Sequence, residues 1–121
     1  MDSVREIVFY KNYFEGFFDL LAENVKEKID EILYMISILD RIPAKFFKSV
    51  EGVKGLYEIR IEYRSNIYRI FCCFDKAKLV VLFNGFQKKT QKTPLMELAK
   101  AEKIMNEYFN ERASKNHGKQ R

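Results

Sequence analysis

Three β-type runs follow one another almost without a break across residues 56–84, and their spacing constrains the fold more than anything else in the chain. Residues 56–64, 67–75 and 78–84 are rich in β-branched and aromatic side chains. Only Ser65-Asn66 and Lys76-Ala77 separate them, which leaves room for tight hairpins alone and predicts an antiparallel meander. Along the first run the pleat puts Tyr57, Ile59, Ile61 and Tyr63 on one face and Glu58, Arg60, Glu62 and Arg64 on the other. With Ser65-Asn66 as the turn, Glu62 lies opposite Arg69 and Arg60 opposite Phe71, so Arg60 and Arg69 become diagonal neighbours. The same reasoning through Lys76-Ala77 sets Asn84 opposite Arg69, and the loop 85–92 then leaves the sheet beside the two arginines. Cations lodged on a sheet cost stability through desolvation and mutual repulsion. An anionic ligand would offset that cost, with nucleic acid the first candidate; pairing with Glu58 and Glu62 is the alternative.

Charge is concentrated in this same region. Residues 1–53 carry a balance of −3, residues 54–94 a balance of +6, and residues 95–121 a balance of +2. A local excess of this kind marks a phosphate-binding face or a solvated basic surface. The remaining segments read as scaffold. A first strand is expected over 4–10. Asn12 is placed to cap a helix whose Phe14, Phe17, Phe18 and Leu21 share one face. Asn24 and Glu27 resemble a capping box for a second helix with Val25, Ile29, Ile32, Leu33, Ile36 and Leu39 inward. Residues 45–54 read as a connector. Thr93 and Pro94 open a last helix that extends to about Asn110. A chain of 121 residues holds one core, expected over 1–111, with 112–121 as a flexible polar tail.

Several chemistries find no support in the residues. The start of the chain has no signal-peptide pattern, and no apolar run is long enough for a membrane span. Cys72 and Cys73 are adjacent in a strand and point to opposite faces, so they read as free thiols in a reducing cytoplasm. The one histidine, His117, falls in the expected tail, which leaves the body of the fold no Ser-His-Asp or Cys-His arrangement. Neither a phosphate-cradling glycine loop nor a metal-ligand spacing is present. Catalysis on such a face would rest on arginine and lysine. RNA suits it, because the 2′-hydroxyl supplies the nucleophile beside the scissile phosphate.

Gly55-Leu56-Tyr57-Glu58-Ile59-Arg60, Tyr68-Arg69-Ile70-Phe71, and Gly85-Phe86-Gln87-Lys88-Lys89-Thr90-Gln91-Lys92-Thr93-Pro94 followed by Glu97 and Ala101 resemble the phage-derived, HigB-like branch of the RelE/ParE toxin superfamily. The resemblance implies an α+β fold of order β-α-α-β-β-β-α, with a small, mostly antiparallel sheet against two N-terminal helices. It also implies a type II toxin that cleaves mRNA in the ribosomal A site without metal or cofactor. A cognate antitoxin, typically a helix-turn-helix protein, would hold it inactive. On this basis Arg69 matches the strand arginine at the scissile phosphate, Arg60 falls near the other basic strand positions, and Lys88 or Lys89 matches the basic residue after the last strand. Lys88 is assigned to catalysis with the arginines; Lys54, Arg64, Phe86, Lys89 and Lys92 are assigned to RNA binding. Glu58 and Glu62 stand where RelE has lysines. The catalytic tyrosine of RelE has no counterpart in the stretch after Lys92, and the histidines of some HigB relatives are missing. A ParE-like gyrase poison and a non-catalytic binding module of the same fold stay open.

Overall fold

A computed structural model describes residues 2–90 and 92–119. Among them the elements run β1 (Glu6–Phe9), α1 (Tyr13–Phe18), α2 (Glu23–Ile38), β2 (Phe47–Ser49), β3 (Leu56–Tyr63), β4 (Asn66–Asp75), β5 (Leu79–Lys88) and α3 (Leu95–Lys119). They form one sheet of order β1-β5-β4-β3-β2, in which β1 runs parallel to β5 and every other pair is antiparallel. The α+β class and the three-stranded meander are as the sequence predicts.

Each face of the sheet has its own core. Val25, Ile29, Ile32, Leu33 and Ile36 of α2, at helical spacing, pack with Phe14 of α1 on Ile59, Ile61, Tyr68, Ile70, Cys72 and Leu82. On the opposite face Ala101, Ile104 and Met105 of α3 cover Leu56, Phe71, Cys73, Val81 and Phe83. Cys72 and Cys73 thus enter different cores, both as free thiols. Polar contacts fasten α3 down. Tyr108 donates to Asp75 Oδ2 at 2.6 Å, and Arg112 pairs with Asp75 Oδ1 at 2.6 Å. At the other side Lys11 bridges Glu107 and Glu111, each at 3.1 Å.

Several local expectations need correction. The connector 45–54 contains β2, too short at three residues to show an alternating pattern. The last helix begins one residue later than expected, at Leu95 with Pro94 O accepting from Leu98 N, and neither expected cap of the first two helices forms. Asn12 makes no side-chain cap bond, and α2 starts at Glu23 with Ala22 in the capping position, which puts Asn24 inside the first turn. The C-terminal end of α2 is satisfied from elsewhere: Arg5 donates to the carbonyls of Ile36, Leu39 and Asp40, a cation placed where the helix dipole is negative. Finally, α3 runs on to Lys119, well past Asn110, and Arg112 is part of it. Gln91 of the expected 85–92 loop lies outside the described residues, and so does the end of the expected tail.

The hairpin registers also differ, with consequences for the arginines. The β3–β4 turn is Arg64-Ser65, both at positive φ (49° and 70°), as a two-residue hairpin of the mirror-image type requires. Arg64 lies over the Tyr63 ring, 5.2 Å from its centroid. This turn, one residue earlier than expected, keeps every side chain on its predicted face but moves Arg60 directly opposite Arg69. Between β4 and β5 the pairing steps from Cys72↔Leu82 to Ile70↔Gly85, so Phe83 and Asn84 together face Phe71 in a bulge. Arg69 therefore lies opposite Phe86 rather than Asn84, and β5 continues through Lys88 where a loop was expected.

Beside that bulge, Gly85 leaves no space for a side chain: a Cβ there would fall 2.5 Å from the Phe17 ring. Gly85→Ala should destabilise the fold by about 1–3 kcal/mol, the usual range for overpacking. Urea unfolding should show a lower midpoint with the slope unchanged. An unshifted midpoint would mean that α1 moves away freely and is not part of the cooperative core.

Candidate functional site

The α3 side of the sheet is divided lengthwise. Helix α3 covers the end built from Leu56, Cys73, Val81 and Phe83, while the other end presents Glu58, Arg60, Glu62, Ile67, Arg69 and Lys88. The side chains of this open end form a groove of about 510 Å³ lined by Arg60, Glu62, Asn66, Arg69, Lys88 and Thr90, among others.

Arg60 and Arg69 face each other across the β3–β4 ladder, an arrangement that like charges resist. One carboxylate holds them: Glu58 Oε1 is 3.7 Å from Arg60 Nε and 3.6 Å from Arg69 Nε. Neither contact is a hydrogen bond, and both Nε groups are buried with no hydrogen-bond partner among the described residues. Arg69 is the more deeply set, with a 3% exposed side chain at the groove floor and one guanidinium nitrogen on its neighbour's carbonyl, Tyr68 O, at 3.2 Å. Burial, and then the facing Arg60, lower its pKa below the ordinary arginine value, against the opposing pull of Glu58 and Glu62.

Lys88 sits at the end of β5, on the face of Arg69 and Phe86. Its pKa falls below the ordinary lysine value, first through burial and then through Arg69; Glu58 opposes the shift, and Arg60 and Lys48 add to it. The arrangement can grip a phosphate between two guanidinium forks and offer it a lysine that releases a proton more readily than usual.

The other expected residues are placed as follows. Lys89 is exposed and lines the same groove. Arg64 is exposed in the β3–β4 turn, and Lys92 is exposed in the segment before α3 with its carbonyl accepting from Thr90. Lys54 precedes β3 at its far end, roughly 20 Å of strand from Arg60, and is not brought to the groove. Phe86 belongs to the core: its ring is 8% exposed and stacked on Phe71 at 5.7 Å, which leaves no open face for a base. Its ring packs beneath the site, across the ladder from Arg69. Sequence reasoning offered Glu58 and Glu62 together as partners of the arginines, whereas Glu58 alone is within ion-pair distance of both. It missed Lys48, which stands opposite Glu58 in the β2–β3 register, because β2 is too short to be seen.

A family model for phage-derived Gp49-like proteins matches residues 16–106. The chain belongs to this family. It is a family of RelE/Gp49-type toxins. No curated protein sequence matches the chain significantly. The Gp49-like match begins in α1 and ends in α3, so it takes in β2 to β5 and every groove residue named above.

The two arginines can be tested as structural or functional groups. Replacing a buried charge with an apolar side chain of similar length is often neutral or stabilising, because the desolvation cost disappears. Arg69→Met should therefore keep or raise the melting temperature, whereas Glu58→Gln, which strips both arginines of their counter-ion, should cost on the order of 3 kcal/mol. Thermal and urea unfolding of the two variants decide it. A marked loss of stability in Arg69→Met would show that the arginine holds the fold together.

Proposed function

We propose that this Gp49-like protein is the toxin of a type II toxin–antitoxin pair, of the HigB-like branch, and acts as a ribosome-dependent mRNA endoribonuclease. The observation that carries the reading is the directly opposed Arg60–Arg69 pair lining the groove, two guanidinium groups that share the single Glu58 carboxylate. A nonbridging phosphate oxygen in the groove accepts from such guanidinium groups, and the developing charge of a phosphorane draws on them further. In this reading the 2′-hydroxyl gives up its proton to water as it attacks the adjacent phosphorus in line, Arg60 and Arg69 stabilise the phosphorane, and Lys88 gives a proton to the departing 5′-oxygen and regains one from solvent. The products are a 2′,3′-cyclic phosphate and a free 5′-hydroxyl.

No strong acid–base pair lines the groove, so much of the rate must come from positioning, which a codon held in the ribosomal A site supplies. Exposed Lys89 and Lys92 suit contacts to RNA backbone on the rim, with the salt dependence such contacts bring. A cytoplasmic protein of this activity requires a cognate antitoxin, and family precedent makes that a helix-turn-helix protein.

Induced expression without a partner should arrest growth, and mapping of mRNA 5′ ends should show cuts in frame with codons. Arg69→Ala should abolish both. Loss of one charge-assisted phosphate contact costs roughly 2–4 kcal/mol in the transition state, a hundredfold or more in rate. DNA damage without mRNA cuts would point to gyrase as the target, and undiminished cutting by folded Arg69→Ala would overturn the site.

Lys88 makes a second, independent prediction through pH. As a proton donor it must be charged, so cleavage on programmed ribosomes should fall as pH rises through its lowered pKa, beneath the ordinary value of 10.5. Lys88→Arg keeps its charge and should flatten this basic limb. The ratio of wild-type to Lys88→Arg rates across pH 7 to about 9.5 cancels effects on the ribosome. Stability has the opposite sign: the folded state binds this proton more weakly, so the cost of charged Lys88 is full at low pH and disappears as pH rises. A rate ratio independent of pH would remove Lys88 from proton transfer.

A further inference from the structure

The arginine pair has a second cavity on its other side. It measures about 300 Å³ and is lined by Lys28, Lys45, Phe46, Arg60, Glu62 and Arg69. Arg60, Glu62 and Arg69 line this cavity and the larger groove alike, so the two form one path across the sheet with the arginines at its middle. At one end stand Lys88 and Lys89, at the other Lys28 and Lys45. Strands lie about 4.8 Å apart, so from β3 to β5 alone this path covers about 10 Å before the flanking lysines are reached. It is longer than a single phosphate requires.

We infer that the cavity at Lys28, Lys45 and Phe46 is a binding subsite for a neighbouring nucleotide of a single-stranded RNA, with its base against Phe46 and its phosphate against the two lysines. The inference rests on reading the arginine pair as an RNA phosphate site and extends that site along the chain.

Five observations carry it. The Phe46 ring is only partly buried against the α2-side core, and its other cover is the ammonium of exposed Lys45, 5.5 Å from the centroid, which a base displaces as the lysine turns to the phosphate. The backbone there is fixed: Arg60 N donates to Phe46 O at 2.8 Å, which holds the ring beside the arginine pair. Lys28 has only a loose 3.8 Å contact with Glu31, of the exposed kind that contributes little. Arg69 lines both cavities. Glu62 is an exposed carboxylate at the junction and repels phosphate there, so successive phosphates belong on either side of it. An aromatic platform flanked by lysines accepts any base, because every base has a π face.

The test uses the full chain and fluorescence-anisotropy binding of 2′-O-methyl RNA, which cannot be cleaved. For the unaltered protein, affinity should rise from a dinucleotide to a pentanucleotide. Lys28→Gln/Lys45→Gln should remove most of that gain, about tenfold, and lower the slope of log affinity against log salt by about 0.7, for the one phosphate that the two lysines hold. Phe46→Leu, which keeps core volume, should weaken pentanucleotide binding about fivefold or more without changing the salt slope. Unchanged affinity and slope in the folded lysine variant, while Arg69→Ala still loses binding, would overturn the subsite and leave the arginine site standing. Failure of the unaltered protein to bind RNA, or binding indifferent to Arg69→Ala, would overturn both.

Discussion

The pairing of β3 with β4 is the constraint on which the rest of the molecule depends. The side-chain period of a strand is two, so a slip of β4 by one residue against β3 would send Tyr68 and Ile70 out of the α2-side core and Arg69 into it. The Arg64-Ser65 turn prevents this, at the cost of two non-glycine residues in left-handed conformation. Asn66 helps from beyond the turn by accepting from Gln87 of β5 at 3.3 Å. One short connection thereby decides both what is buried and which cations meet.

A second constraint is where α3 stops covering the sheet. Its apolar contacts, Ala101, Ile104 and Met105, reach only the Leu56–Cys73–Val81 end, and its charged anchors at Asp75, Glu107 and Glu111 lie at that end or beyond the neighbouring edge. Near its start, Asn84 donates to the carbonyl and carboxylate of Glu97, each at 3.3 Å, so the bulge residue ties the helix to β5. The charged half of the face is left open as a result. Had α3 crossed it, Arg60, Arg69 and Lys88 would have needed protein partners; with Glu58 alone they have too few.

How much of this was legible in the sequence follows from the kind of signal involved. Alternation in 56–64 and the short spacing to the second run set the faces of β3 and β4 correctly, because parity survives a turn displaced by one residue. The second turn holds three residues, 76–78, rather than two, so Val80 and Leu82 lie on the α2 side instead of the arginine side until the bulge restores the expected parity. Opposition of Arg60 and Arg69 was not legible. It depends on Arg64 and Ser65 both adopting positive φ, a conformation their residue types rarely signal. The β5 bulge was hidden for a related reason: nothing in Phe83-Asn84-Gly85 marks an extra residue, and it is the Asn84–Glu97 contact, distant in sequence, that gives it a purpose. Lys28, Lys45 and Phe46 read as helix surface and connector, and only the cavity beside Arg60 brings them together. Phe86 was misplaced because a phenylalanine in a cationic stretch looks like a stacking residue until its partner Phe71 is seen.

Glu58 explains how the fold tolerates its own site. Two guanidinium groups in one dry location would strongly disfavour the folded state, and two carboxylates would neutralise them and leave nothing for a ligand. A single carboxylate shared at 3.6 and 3.7 Å lies between these limits. It lowers the charge enough for folding but makes no hydrogen bond to either Nε, so it does not neutralise the guanidinium groups that line the groove. Arg69 is also nearly immobile in its buried setting, so little side-chain entropy is lost when an anion binds. Binding by such a site is prearranged at the expense of stability, and the cations around it are poised for negative charge that develops at phosphorus rather than for any feature of a base. Sequence preference, in that case, belongs to whatever holds the RNA in place.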